Sequence, residues 1–138
     1  MKFYPAISRP LDRAQLALFD RFRARLSDAW EIVVEAPMPI AGDLRAADAL
    51  ISIPGCRSMI EVITRLADFQ AQLRAGRLKQ RDIGADRLVF VVAGTTTNRR
   101  AIRDIGAALT DAFPIQTKGA MLRLNAGMDP GGDALIVL

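Results

Sequence analysis

The feature that most constrains the fold is an uninterrupted apolar segment, Leu88–Ala93. It follows Arg87 and contains three valines and one phenylalanine, residues that are typical of β-strands. A strand with one face in solvent alternates apolar and polar side chains, and this segment does not alternate. We therefore predict a central strand that is covered on both faces, which requires helices on each side of the sheet.

The hydrophobic pattern predicts the remaining elements. Apolar residues at helical spacing predict helices over 10–30, 66–84, 98–113 and 119–126. Apolar runs between turn residues predict strands over 31–36, 46–53, 58–64, 87–93 and 134–138. Because short turns join the first three strands, we expect them to form an antiparallel meander. The second helix then crosses over to a fourth strand that lies parallel to the third.

These elements predict an α/β fold in which a mixed sheet is flanked by helices. The chain has 138 residues, which suits one domain. We therefore predict a single domain over residues 1–138, in which 1–9 form an extended N-terminal segment.

Composition excludes several kinds of chemistry. The sequence contains no histidine and one cysteine, Cys56. This excludes Ser-His-Asp and Cys-His catalysis, histidine-bound zinc and an intramolecular disulfide. Carboxylate chemistry must use an aspartate or one of three glutamates: Glu31, Glu35 and Glu61.

The charge balance is basic, with 19 Lys and Arg against 15 Asp and Glu, a net charge of +4. Two interpretations stay open: a GC-rich genome, which also favours alanine, and an anionic partner, nucleic acid first. No stretch reaches the roughly 18 apolar residues of a membrane-spanning helix. The N-terminus lacks the apolar run of a signal peptide. We therefore expect a cytoplasmic protein without a membrane partner.

Two carboxylates lie within predicted apolar strands. Glu61 stands among Met59–Ile63, and Asp48 stands among Ala46–Ile51. A buried carboxylate costs several kcal/mol unless it is paired or binds a metal. On neighbouring strands the two could share a divalent cation, which takes oxygen ligands. The alternative is that each lies at a strand end or pairs with an arginine such as Arg45 or Arg65.

This order of elements, with Asp48 on the second strand and Glu61 on the third, resembles the PD-(D/E)XK nuclease superfamily. The fold of that family is the αβββαβ restriction-endonuclease-like core. Three segments, 42–50, 61–70 and 95–100, are similar to the nuclease-like C-terminal domain of actinobacterial proteins that carry an XRE-type helix-turn-helix domain. The resemblance extends over about residues 10–138. It leaves two alternatives open: a stand-alone relative, or a separated domain with an upstream helix-turn-helix domain or partner.

The resemblance implies a site. Asp48 and Glu61 match the catalytic carboxylates that bind Mg²⁺ or Mn²⁺, and Gln70 matches a glutamine on the following helix. Ile63 stands where the family has its catalytic lysine. Isoleucine can neither donate a hydrogen bond nor carry charge, and the loss of a preorganised electrostatic contact typically lowers a rate by about 10²–10³.

Basic side chains could replace that lysine or contact nucleic acid. Arg65 lies two positions beyond Ile63, on the same face of an extended strand. Lys79 and Arg74 lie on the predicted second helix. Arg99 and Arg100 follow the central strand, where a helix N-terminus favours anions.

Three functions follow from these observations. The first is a catalytically degenerate nuclease-fold domain that acts in nucleic-acid binding or transcriptional regulation. The second is an active metal-dependent DNA endonuclease in which Arg65 or Lys79 replaces the lysine. The third is an interaction module that forms a homodimer or senses a ligand.

Overall fold

The computed structural model describes residues 10–138, and the segment predicted at 1–9 lies outside them. The helices are α1 (Arg13–Arg23), α2 (Phe69–Ile83), α3 (Thr96–Ile105), α4 (Ala107–Ala112) and α5 (Thr117–Asn125). The strands are β1 (Glu31–Pro37), β2 (Ala46–Ile53), β3 (Cys56–Ile63), β4 (Arg87–Val92) and β5 (Ala134–Val137). The chain has a mixed α/β fold, as predicted.

The five strands form one sheet in the order β1-β2-β3-β4-β5. The first three pair antiparallel, as expected for strands joined by short turns. β4 pairs parallel with β3 and with β5. Parallel neighbours require a crossover connection, so helices join β3 to β4 and β4 to β5. The carboxyl ends of β3, β4 and β5 therefore lie along one edge of the sheet, which we call the carboxyl edge.

Strand β4, which lies between β3 and β5, separates two hydrophobic cores. Val89 and Val91 pack with side chains of α1 and α5. Leu88, Phe90 and Val92 pack with side chains of α2 and α4. Because side chains alternate across a strand, both faces of β4 are buried, which confirms the prediction from its apolar sequence.

Two helices differ from the sequence prediction. The first was expected over 10–30, but α1 ends at Arg23, and the backbone N–H of Trp30 donates to the carbonyl of Ser27 in a turn. The third was expected over 98–113, but it divides into α3 and α4 at Gly106. Gly106 has a φ of 64°, a conformation that interrupts an α-helix and that glycine adopts without steric penalty.

Helix α2 lies close to β4 because it carries a glycine at the contact. A Cβ atom on Gly76 would lie 3.1 Å from Cε1 of Phe90 and 3.3 Å from Cδ2 of Leu88. The helix begins at the N-cap Asp68, whose carboxylate accepts from the N–H of Ala71. Within residues 10–138, no helix combines the length and apolar character needed to cross a membrane.

Candidate functional site at the carboxylates of β2 and β3

The two carboxylates lie where the pairing between β2 and β3 changes. The strands pair from Ile53 and Cys56 to Ala49 and Ile60. Beyond this point, the N–H of Asp48 donates to Oε2 of Glu61 at 3.0 Å. Side chains here accept hydrogen bonds that main-chain carbonyls accept elsewhere in the ladder.

The reciprocal bond runs in the other direction between the strands. The N–H of Val62 donates to Oδ2 of Asp48 at 2.8 Å. The carbonyl of Val62 accepts from Nε2 of Gln15 on α1 at 3.0 Å. Both main-chain groups of Val62 are therefore held by side chains, and each carboxylate is held by the neighbouring strand.

A lysine from α2 completes the arrangement. Nζ of Lys79 lies 2.9 Å from Oε1 of Glu61, and the two side chains are 21% and 12% exposed. Arg45, one expected partner of the carboxylates, instead binds Asp43 and Asp82. We call Asp48, Glu61 and Lys79 the carboxylate cluster.

The surroundings of Asp48 perturb its pKa. Burial and then the negative charge of Glu61 raise the pKa of Asp48 to about 7. The hydrogen bond from Val62 and the ammonium of Lys79 act in the opposite direction but are outweighed. Asp48 therefore exchanges a proton near neutral pH, whereas an ordinary aspartate is fully ionised there.

Several oxygen atoms of the site already accept hydrogen bonds from protein donors. Both carboxylate oxygens of Glu61 accept from protein donors, and so does the carbonyl of Val62. Mg²⁺ requires near-octahedral oxygen coordination. Among the residues that the structure describes, no three His, Cys, Asp or Glu side chains are grouped to hold a metal ion. A metal ion at Oε1 of Glu61 would compete with the ammonium of Lys79.

A small cavity of about 160 Å³ lies beside Glu61. Its other lining residues are Ile63, Gln72, Ala75, Gly76 and Phe90. Ile63, at the position of the family's lysine, contributes only hydrocarbon to this cavity.

The glutamine that reaches the cavity is Gln72, which the sequence analysis missed. Its Nε2 donates to the carbonyl of Arg65 at 3.0 Å, and its buried Oε1 has no hydrogen-bond partner. Gln70, the expected residue, is exposed on α2. The spacing of Gln72, Gly76 and Lys79 at i, i+4 and i+7 places them on one helix face, and this pattern was available in the sequence.

Three of the predicted arginines lie at the carboxyl edge. Arg65 follows β3, whereas Arg99 and Arg100 lie in the first turns of α3, which follows β4. All three side chains are exposed. Arg74 is also exposed but lies in the middle of α2. The structure therefore brings Lys79 to the carboxylates and leaves the arginines facing solvent.

The segments that carry these arginines are joined by Asn98, which is 1% exposed. Its Oδ1 accepts from the N–H of Leu66 at 3.0 Å. Its Nδ2 donates to the carbonyls of Thr64 and Ala93, each at 2.9 Å. Asn98 therefore fixes the position of both segments at the carboxyl edge.

Comparison of the chain with protein-family models, with curated proteins and with solved structures finds no significant match in any of the three. The resemblance to PD-(D/E)XK nucleases therefore stays a prediction from the sequence. The function proposed below depends on the geometry of the carboxylate cluster and on the placement of the arginines.

Proposed function

We propose that this chain is a catalytically degenerate nuclease-fold domain that binds nucleic acid and does not cleave it. The observation that carries this proposal is the contact between Lys79 and Glu61, at 2.9 Å. A lysine ammonium neutralises the carboxylate that would otherwise bind a metal, and backbone N–H groups hold both carboxylates in place. Within the carboxylate cluster, the charge of Lys79 offsets that of Glu61 without a metal ion.

The residue at position 63 supports the absence of cleavage. Ile63 cannot stabilise an attacking water or the charge that develops on a phosphate. Lys79 approaches from α2 instead, but its ammonium is directed to Glu61. The charge of Lys79 is therefore used to offset that of a partly buried carboxylate.

The placement of exposed arginines supports nucleic acid as the partner. In open α/β sheets, ligands bind outside the carboxyl ends of the strands. Arg65, Arg99 and Arg100 lie at this edge, and the N-terminus of α3 lies there with them. Arginine forks and helix N-termini both favour phosphate groups.

A cleavage assay tests the catalytic half of the proposal. Supercoiled plasmid and a labelled duplex are each incubated with Mg²⁺ or Mn²⁺. The wild-type chain is compared with a double variant, Asp48→Ala with Glu61→Ala. We expect both proteins to show the same background. Metal-dependent cleavage by the wild type that the double variant lacks would overturn the proposal.

An active metal-dependent endonuclease is the second candidate, and it requires the ammonium of Lys79 to act on the substrate instead of neutralising Glu61. Lys79 lies beside Glu61, where a cation that replaces the family's lysine has to lie. In that case Lys79→Met would lower the cleavage rate by about 10² or more. Arg74→Met on the same helix would leave the rate unchanged.

A salt titration tests the binding half. Phosphate contacts release counterions, so the logarithm of the affinity falls with the logarithm of the salt concentration, by about 0.9 for each duplex phosphate contacted. We expect a slope that corresponds to several phosphates. The absence of duplex binding at low salt would instead favour the interaction module, which predicts no such slope.

A further inference from the structure

A second cavity, of about 410 Å³, lies between α5 and the segment that follows α1. It is lined by Arg25, Thr117, Lys118, Met121, Leu122 and Asn125, and we call it the α5 groove. Because α5 packs on the face of the sheet opposite to α2, the α5 groove is separate from the carboxylate cluster. Its volume falls within the roughly 300–1,000 Å³ that is typical of small-molecule sites.

The walls of the α5 groove are held by hydrogen bonds between distant parts of the chain. Nδ2 of Asn125 donates to the carbonyl of Arg25 at 2.8 Å. The carbonyl of Leu124 accepts from the N–H of Ser27 at 3.3 Å and from Nε1 of Trp30 at 2.8 Å. The segment after α1 is thus fixed against the end of α5.

The floor of the α5 groove is apolar. Met121 is 8% exposed and belongs to the hydrophobic core beneath it. Leu122 is 73% exposed, the largest exposure among the exposed large apolar residues of the described chain. A single exposed leucine is common on protein surfaces. A leucine at the rim of a groove with an apolar floor, by contrast, supplies a contact surface for hydrocarbon.

The rim of the α5 groove is cationic. Arg25 and Lys118 both line it and both are exposed. Within residues 10–138, neither side chain forms an ion pair, and no carboxylate lines the groove. Two uncompensated cations above an apolar floor are complementary to a molecule with one acidic group and a hydrocarbon body.

We infer that the α5 groove binds a small amphipathic carboxylate, whose hydrocarbon contacts Met121 and Leu122 and whose carboxylate pairs with Arg25 and Lys118. This site needs neither the carboxylate cluster nor nucleic acid, so it stands independently of the proposed function.

Titration with decanoate, followed by ¹H–¹⁵N NMR, tests this inference. We expect saturable shifts concentrated in 117–125. The Arg25→Gln, Lys118→Gln variant should weaken decanoate binding by about tenfold or more, because it removes charge-assisted hydrogen bonds. Decanol has the same chain length without the charge. Its affinity for the wild-type chain should not exceed the affinity of decanoate for the Arg25→Gln, Lys118→Gln variant.

A matched pair of substitutions controls for overall charge. The Arg21→Gln, Arg23→Gln variant also removes two positive charges, but from exposed positions of α1 that do not line the α5 groove. Decanoate affinity should be unchanged in this control, and the amide spectra of both variants report whether they fold. An equal loss of affinity in the control, or the absence of saturable shifts in 117–125, would overturn the inference.

Analytical ultracentrifugation tests whether the α5 groove is instead occupied by a second copy of the chain. We expect a Leu122→Asp variant to lose decanoate binding while its sedimentation coefficient matches that of wild type at all concentrations. A concentration-dependent dimer that Leu122→Asp dissociates would show that the groove is a self-association surface, and would overturn the inference.

Discussion

At the scale of single residues, the contact between Lys79 and Glu61 determines what the candidate site can do. Both side chains are mostly buried, so neither charge is fully solvated. Removal of one member of such a pair leaves the other without compensation, which costs more than the pair itself contributes. The stability of the fold therefore depends on the residue that offsets Glu61.

Lys79→Met should lower the free energy of unfolding by about 1–3 kcal/mol, measured by urea denaturation at neutral pH. The hydrocarbon of methionine replaces most of the packing, so the loss reports the missing charge. The exposed Arg74→Met on the same helix should change stability by less than about 0.5 kcal/mol. If the Lys79→Met loss does not shrink when Glu61→Gln is also present, the two residues are not coupled.

Asp48 makes the stability of the fold depend on pH. Its pKa rises from an ordinary 3.8 in the unfolded chain to about 7 in the folded chain. Between these values the folded chain holds a proton that the unfolded chain has lost. The contribution of Asp48 to stability is therefore fully present below about pH 4 and is lost as the pH rises through about 7.

Asp48→Asn should remove this dependence, because asparagine does not titrate and its Oδ1 can still accept from Val62. Urea denaturation from pH 4 to 8 should show the variant gaining in stability relative to wild type up to about pH 7, with a constant difference above it. A constant difference across the whole range would mean that the pKa of Asp48 is not raised.

At the scale of elements, the contact of α2 with β4 positions Lys79. Gly76→Ala should destabilise the fold by about 1–2 kcal/mol, because the new Cβ would lie 3.1 Å from the ring of Phe90. This net loss corresponds to a steric cost of about 2–3 kcal/mol, offset in part by the gain of about 1 kcal/mol that alanine brings to a helix interior.

Gly119→Ala on α5 is the matched control for this substitution. Its new Cβ would meet Cγ2 of Ile115 at 3.9 Å, an ordinary contact. Denaturation should show a gain of about 0.5–1 kcal/mol from helix propensity alone. Equal gains in the two variants would mean that α2 can move away from the sheet without loss.

The carboxyl edge depends on Asn98 in a similar way. Asn98→Ala should cost about 3 kcal/mol of unfolding free energy, because it removes three buried hydrogen bonds to main-chain groups. The neighbouring exposed Thr97→Ala should cost less than about 1 kcal/mol. A comparable loss in the two variants would show that the three bonds of Asn98 are not what holds this edge.

At the scale of the whole molecule, the distribution of charge matters more than its sum. The triple substitution of Arg65, Arg99 and Arg100 by glutamine lowers the net charge from +4 to +1. If these side chains contact phosphates, the salt slope of duplex binding should decrease by roughly 2–3, since each lost contact removes about 0.9.

A second triple variant separates a local surface from overall charge. Substitution of Arg13, Arg21 and Arg23 by glutamine also gives a net charge of +1. These exposed residues lie on α1, which packs on the face of the sheet opposite to α2. Its salt slope should stay within about 0.5 of wild type. Equal slopes for the two triple variants would mean that binding follows net charge, not the carboxyl edge.

Much of the fold followed from patterns within short stretches of the chain. The apolar segment at 88–93 predicted a strand covered on both faces. This prediction needs only the absence of polar side chains within the segment, not the identity of the elements that pack on it. Helix ends were less predictable. Leu26 and Trp30 continue the apolar spacing and contact the core, yet the chain leaves the helix after Arg23.

The candidate site was predictable in part. Asp48 and Glu61 were identifiable as carboxylates in apolar strands, and the structure places them together. Their cationic partner was open among several residues, because an ion pair between separate elements leaves no mark on local sequence. Gln70 matches the spacing of the motif, whereas Gln72 lies on the face of α2 that lines the cavity beside Glu61.

The sequence by itself determined the α/β class, the central strand, and the exclusion of histidine and disulfide chemistry, because these depend on composition and local periodicity. Only the tertiary structure decided that Lys79 meets Glu61, 18 residues away along the chain. That contact depends on how closely α2 approaches the sheet, and this distance is determined by the packing of Gly76 against Phe90. The long-range packing of one helix thus places a lysine beside the carboxylate of a strand.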